Sequence, residues 1–256
     1  ANGAWTVYAA DVDGDGDMDV LSASFSDDKI AWYENDGSEN FTEHAISTSA
    51  NGAWTVYAAD VDGDGDMDVL SASANDDKIA WYENDGSESF TEHAISTSAD
   101  WARSVYAADV DGDGDMDVLS ASGNDDKIAW YENDGSESFT EHVISTSADY
   151  ARSVYAADVD GDGDMDVLSA SDADDKIAWY ENDGSESFTE HAISTSADAA
   201  SSVYAVDVDA DGDMDVLSSS WSDDKIAWYE NDGSESFTEY VISDSAEGAW
   251  SVYAVD

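Results

Sequence analysis

The sequence has no cysteine and no proline, and only seven of its 256 residues are lysine or arginine. Without cysteine, disulfides and thiolate chemistry are excluded. Against the seven bases stand 62 acids, giving a formal net charge of −55. Such a surface repels nucleic acid and anionic membrane. It suits cations, high salt, or partners that present positive or neutral polar groups. No apolar run is long enough to span a bilayer, and no signal peptide is visible. The chain starts in mid-repeat, as expected of a mature product or an excised piece. No apolar stripe of 3.6-residue period runs through it, so helices are not expected. High charge can by itself signal disorder. Here 42% of the residues are hydrophobic and ten are tryptophan, so a packed core is expected.

What the chain has in abundance is aspartate at fixed spacing. Asp11 to Asp19 reads Asp-Val-Asp-Gly-Asp-Gly-Asp-Met-Asp. Acids at positions 1, 3, 5 and 9, with glycine at 6, form a compact oxygen cage. Hard cations such as calcium take about six to eight oxygens at about 2.3–2.6 Å. Asp17, at position 7, stands where such loops offer a backbone carbonyl. Two unit charges about 5 Å apart repel by roughly 0.8 kcal/mol even in bulk water. A loop with four clustered carboxylates therefore calls for a cation as a structural part.

The stretch starts again at Asp60, Asp109, Asp158 and Asp207, and a sixth copy opens at Asp256. Internal repeats decide the fold when they are present. The repeats run 1–49, 50–98, 99–147, 148–196 and 197–245, and residues 246–256 duplicate the opening. Each repeat reads as four short strands. In the first these are A (Thr6 to Ala10), B (Asp19 to Ser24), C (Lys29 to Glu34) and D (Phe41 to Ser47). The Asn35-Asp36-Gly37-Ser38 link between C and D is a hairpin signal, because Asp-Gly tolerates positive φ. Four strands in a unit of this length mark a β-propeller blade. Strands A and B are built from Ala, Ser and Val, as a crowded axis requires. Ile30 and Trp32 fall on one face of strand C, and Ala31 and Tyr33 on the other, so both faces are built to pack. The expected fold is all-β: a single β-propeller domain over 1–256, of four-stranded antiparallel blades, with residues 246–256 as a surplus strand. An extended solenoid competes, but its coils are usually shorter and not made of antiparallel hairpins.

Asp11 to Asp19 followed by Val20-Leu21 resembles the FG-GAP and VCBS repeats of integrin-type β-propellers. Ile30-Ala-Trp-Tyr-Glu-Asn-Asp-Gly37 with Phe41-Thr42 is similar to a bacterial subgroup of FG-GAP-like repeats. The resemblance covers nearly the whole chain. It implies calcium in the loop between the first two strands of a blade, about one ion per repeat and five in all. It carries Asp11, Asp13, Asp15, Asp17 (by its carbonyl) and Asp19 into that role. The matching residues are Asp60, Asp62, Asp64, Asp66 and Asp68 in the second repeat, and Asp109, Asp111, Asp113, Asp115 and Asp117 in the third. Asp158, Asp160, Asp162, Asp164 and Asp166 follow in the fourth, and Asp207, Asp209, Asp211, Asp213 and Asp215 in the fifth. The fifth loop has Ala210 where the others have glycine, outside the ligand set. The sixth copy has only Asp256 and is expected to bind nothing. Family propellers usually have seven blades, whereas this chain has five units and an extra strand A. That strand can displace residues 5–11 in closing the ring, join a neighbouring molecule, or belong to a longer array.

The repeats differ at two places. Between strands B and C stand Phe25, Ala74, Gly123, Asp172 and Trp221; before strand A stand Trp5, Trp54, Trp101 with Arg103, Tyr150 with Arg152, and Trp250. In an up-and-down blade both places lie at the end opposite the acidic loops. Exposed aromatics commonly anchor binding, and both arginines of the chain fall here. A glycan or protein ligand is therefore expected on this face, against the alternative that the aromatics plug gaps between blades. The chain is expected to be an extracellular or cell-surface binding and adhesion module, prokaryotic in origin, since modest calcium loops fill where the ion is millimolar. A structural assembly unit, self-associating through residues 246–256, is the alternative. A propeller-borne carbohydrate-active enzyme is less favoured. Glu34 and Glu43 recur in every blade and no blade carries an odd catalytic set, so no enzyme is expected. His44, His93, His142 and His191, with Tyr240 in the fifth place, read as packing residues. Asp27-Asp28-Lys29 reads as a turn cap with a weak local ion pair.

Overall fold

The computed structural model describes residues 1–255; Asp256, the sixth-loop residue, lies outside the described residues. The first repeat forms β1 (Ala4–Ala10), β2 (Asp19–Ser24), β3 (Lys29–Asn35) and β4 (Phe41–Ser47), paired antiparallel in that order. Four more sheets of the same plan follow, ending with β17 (Ala200–Val206), β18 (Asp215–Ser220), β19 (Lys225–Asn231) and β20 (Phe237–Ser243). Strand A thus starts two residues earlier than the sequence suggests, and strand C runs one residue longer, to Asn35. Among the described residues no helix is long and apolar enough to cross a membrane.

Period-two alternation builds the blade stack. Trp32, Ile30 and Leu21 from one face of blade 1 pack on Val56, Val69, Ala80 and Tyr82 from the facing side of blade 2. The same combination recurs at the next three junctions. Burying each large apolar side chain contributes about 1.5–3 kcal/mol, so the stability of each sheet resides in its neighbours. The strands A contact one another from blade to blade: β1 with β5 (Ala53–Ala59), then β9 (Ala102–Ala108), β13 (Ala151–Ala157) and β17. They therefore surround the common axis.

Small residues are expected at this axis, yet each strand A aims a tyrosine along it. Tyr8, Tyr57, Tyr106, Tyr155, Tyr204 and Tyr253 stand ring against ring, with successive centroids 4.6–4.9 Å apart. With Val7 and Ser251–Tyr253 they line an axial cavity of about 460 Å³.

The five sheets do not close into a ring of whole blades. Residues 249–255 take the place of a sixth strand A without pairing as a strand. Val252 N–H reaches Ser202 Oγ at 3.5 Å, as Val203 N–H reaches Ser153 Oγ at 3.3 Å one step earlier. The surplus segment therefore lies beside residues 5–11 without displacing them. Both copies are held side by side, with Trp250 5.4 Å from Trp5.

Candidate metal centres and the opposite face

The acidic loop ties itself together through aspartate turns. In the first repeat Gly16 N–H donates to Asp11 Oδ2 at 3.0 Å, Asp15 N–H to Asp13 Oδ1 at 3.1 Å, and Asp17 N–H to Asp15 Oδ1 at 2.8 Å. Asp19 is fully buried, and its two oxygens accept Val12 N–H and Asn35 N–H at 3.1 and 2.7 Å. The last acid of the loop thereby joins the start of the loop to the end of strand C. Burial lifts Asp68, Asp117 and Asp166, its counterparts, to about 6 in the metal-free protein. Desolvation also raises Asp62, Asp111 and Asp160.

In repeats two to five, one oxygen from each of loop positions 1, 3 and 9 lies within 4.8 Å of the others: Asp60/Asp62/Asp68, Asp109/Asp111/Asp117, Asp158/Asp160/Asp166 and Asp207/Asp209/Asp215. In the first repeat the trio is Asp11, Asp13 and Asp15. Each trio can hold a metal ion. Position 5 joins the trio only there, although in all five loops it also serves the Asx turn that fixes position 7, as when Asp64 Oδ1 accepts Asp66 N–H. The position-7 side chains turn away towards the C–D hairpin. There, a Cβ on Gly37 would collide with Asp17 Oδ2. The residues fit a cation: Asp11 Oδ1 and Asp60 Oδ1 are buried without a hydrogen-bond partner. A bound dication would satisfy such oxygens and cancel the repulsion among the carboxylates.

The loops also reach across blades. Asn84 Nδ2 donates to the Val12 carbonyl, in the preceding blade's loop, at 3.1 Å, and to Met67 of its own loop at 3.1 Å. Asn133, Asn182 and Asn231 repeat this pattern. The sequence marks these asparagines only as hairpin residues. Their constancy in every Tyr-Glu-Asn-Asp-Gly run was the available signal.

At the other end, the B–C turn hydrogen bonds to the segment before strand A, as in Phe25 N–H to the Gly3 carbonyl at 2.9 Å. The two variable places therefore share one face, with the acidic loops at the opposite end. A register shift in each A–B pair falls at Trp5, Trp54, Arg103, Arg152 and Ser201. Such bulges re-aim a side chain, and these bulges aim theirs together. Trp5 stacks on Trp54 with centroids 4.7 Å apart, and Arg103 lies 4.2 Å over Trp54 and 4.7 Å over Tyr150. Arg152 lies 5.7 Å from Tyr150 and 4.9 Å over Trp250, which returns to Trp5. Six side chains thus form a closed circuit across the axis.

Arg103 sits inside this circuit, 5% exposed, and desolvation lowers its guanidinium to about 10. It remains a cation at neutral pH. Arg152 is paired with Asp172. Trp101 and Tyr150 hold φ of 63° and 59° where Gly3 and Gly52 stand in sister repeats, a conformation that is costly for bulky residues. Phe25 meets Trp54 edge-on at 5.6 Å. Trp5 and Trp221 remain 45% and 50% exposed and form the accessible part of the face.

The recurrent smaller motifs are structural. Each histidine stacks on its blade's tryptophan and bonds a glutamate, as His44 does with Trp32 at 4.6 Å and Glu34 at 2.8 Å. Tyr240 stacks on Trp228 in the fifth blade. Asp28, at φ 53°, caps the turn into the next blade by accepting Gly52 N–H, and Lys29 pairs with Glu43.

Among solved structures, the chain is similar to an Agrocybe aegerita lectin that recognises non-reducing terminal N-acetylglucosamine. That match has 18% identity and a TM-score of 0.67 over 96% of this chain and 67% of the lectin. It is also similar to the Vibrio cholerae biofilm matrix protein Bap1, at 20% identity and a TM-score of 0.57 over 96% of this chain but only 40% of Bap1. A putative 6-phosphogluconolactonase from Bacteroides fragilis matches at 11% identity and a TM-score of 0.68, over 93% of this chain and 70% of that one. At these identities the likenesses concern the fold. Comparison with curated protein sequences finds no match. The family pattern of the FG-GAP-like repeat matches four times in overlapping windows, over residues 11–71, 60–120, 109–169 and 158–218. The chain belongs to the FG-GAP-like repeat family.

Proposed function

We propose that this chain is a non-catalytic binding and adhesion module, held rigid by calcium in its five acidic loops, that engages glycan through the face opposite those loops. The observation that carries the reading is the segregation of the two ends. One end repeats the same oxygen-lined loop five times; the other gathers the repeats' differing aromatic residues about the axis and leaves Trp5 and Trp221 open. An oxygen-only donor set of carboxylates suits a hard cation, and calcium tolerates the irregular, flexible geometry of such loops. Tryptophan offers a flat apolar surface on which a sugar ring can lie, with neighbouring carboxylates to accept hydroxyl hydrogen bonds.

The lectin and Bap1 likenesses support a binding role for this architecture. Loops of modest affinity would fill where calcium is millimolar, which supports a module that works outside the cell or on its surface. The test is a glycan array in calcium, run with the parent chain and with Trp5→Ala and Trp221→Ala. Binding by the parent that falls at least tenfold in the variants, with unchanged melting, supports the reading. Glycan binding that is absent, or indifferent to both substitutions, removes it.

A further inference from the structure

The four blade junctions are built from the same two halves. At the second, Leu70, Ile79 and Trp81 of one blade meet Val105, Val118 and Tyr131 of the next. Phe139 adds an edge contact to Trp81 at 6.3 Å, and Asn133 Nδ2 donates to the Val61 carbonyl at 3.0 Å.

The two flanks of the open ring each present one half without its mate. On blade 1, Val7 is 67% exposed, whereas Val56, Val105, Val154 and Val203 are at most 4% exposed. Phe41 is 53% exposed, and an apolar hollow of about 240 Å³ lies between Val20, Tyr33 and Phe41. Its lining matches the Val118, Tyr131 and Phe139 set that packs with Trp81. On blade 5, Ile226 and Trp228 are only partly covered, whereas Ile79 and Trp81 are buried. Among the described residues no asparagine donates to the Val208 carbonyl, which occupies the position of Val61. Between the flanks only the inner strand is supplied, by residues 249–255.

We propose that the gap between blades 5 and 1 is a docking site for one further unit of this same repeat: a segment carrying an acidic loop and the last three strands. It pairs with residues 250–255 by strand addition. Its tryptophan enters the Val20–Tyr33–Phe41 hollow, its phenylalanine packs on Trp228, and its asparagine donates to the Val208 carbonyl. The four existing junctions specify this occupant. It must show a Trp-bearing face to blade 1 and a Phe-bearing face to blade 5 at once. A second copy of the chain has those two faces free on opposite flanks, one on blade 5 and one on blade 1, so it cannot present both to the gap.

The test uses the full chain in millimolar calcium, titrated calorimetrically with a peptide of the sequence of residues 60–98. The expected result is a one-to-one complex, weakened at least tenfold by Val7→Asp. Because Val7 is exposed in the free chain, that variant melts as the parent does. Residues 61–98 fused after residue 256 are expected to raise the melting temperature, and Val7→Asp to cancel the rise. No complex with the peptide, no rise in the fusion, or either effect persisting in Val7→Asp overturns the proposal. So does sedimentation of the parent chain as a dimer that Val7→Asp dissociates, since a second copy would then fill the gap.

Discussion

Asn35 and Asn133 occupy the same place in the same local sequence, Tyr-Glu-Asn-Asp-Gly, yet replacing them by alanine is expected to have unequal effects. Asn133 is 3% exposed; its Nδ2 donates to the Val61 carbonyl at 3.0 Å and the Met116 carbonyl at 3.1 Å, and its Oδ1 accepts Gly135 N–H at 3.2 Å. Removing three such bonds at about 1 kcal/mol each costs about 3 kcal/mol. Asn35 lies on the open flank and keeps only the Met18 carbonyl at 3.0 Å and Gly37 N–H at 3.3 Å, both solvent-exposed bonds. Its loss is expected to cost about 1 kcal/mol. For a chain of this size 1 kcal/mol moves the melting temperature by about 2–4 °C. Asn133→Ala is therefore expected to melt about 6–12 °C lower than the parent, and Asn35→Ala about 2–4 °C lower. Calorimetric scans in saturating calcium read both. Equal shifts would refute the claim that these carboxamides tie each acidic loop to the neighbouring blade.

Two further predictions test the loop geometry. Gly86 has φ +69° and a Cβ there would meet Asp66 Oδ2, so Gly86→Ala is expected to lose about 1–2 kcal/mol from the backbone alone and more from the displaced aspartate. Gly63→Ala meets nothing within 4 Å, and Ala210 already adopts φ 63° at the matching place, so its cost is expected to stay near 1 kcal/mol or below. Urea unfolding compares the two variants, and equal losses would contradict the close approach of the Asp66 side chain to the Gly86 hairpin. In chelator, the buried carboxyls of Asp68, Asp117 and Asp166 carry pKa values raised to about 6. The folded metal-free chain then holds protons that the unfolded chain has released, so this contribution is present below about pH 4 and is lost as pH rises to about 6. Melting temperatures in chelator are expected to fall across that window; a rise would contradict the assigned burial.

The repeat length, the four strands and the turn at Asn35–Gly37 were legible because period-two patterning and glycine placement are local signals. The two-faced packing was legible too, since Ile30 and Trp32 alternate with Ala31 and Tyr33. Ring closure was not. Whether residues 246–255 displace the first strand or sit beside it depends on how far each blade turns about the axis. That angle arises from side chains packing between repeats. The axial tyrosines were hidden for a related reason: nothing local to Tyr8 and its counterparts marks the axis until the repeats are set round it. At the acidic loops the acids were plain, but their arrangement was not. The third converging oxygen comes from Asp15 in the first loop but from Asp68, Asp117, Asp166 and Asp215 in the others, a choice that depends on the backbone path. On the opposite face the sequence shows which residues vary but not that bulges carry them inward, so that Arg103 is enclosed while Trp5 and Trp221 stay open.

The central claim is that the aspartate loops are calcium sites on which the stability of the blade stack depends. A thermal melt of the calcium-stripped chain, repeated along a calcium titration, tests it most directly. One site held at about 100-fold its dissociation constant adds about 2.7 kcal/mol, and five sites act on one stack, so the midpoint is expected to climb by more than about 10 °C before levelling off. A midpoint that stays put from chelator to millimolar calcium would contradict the account.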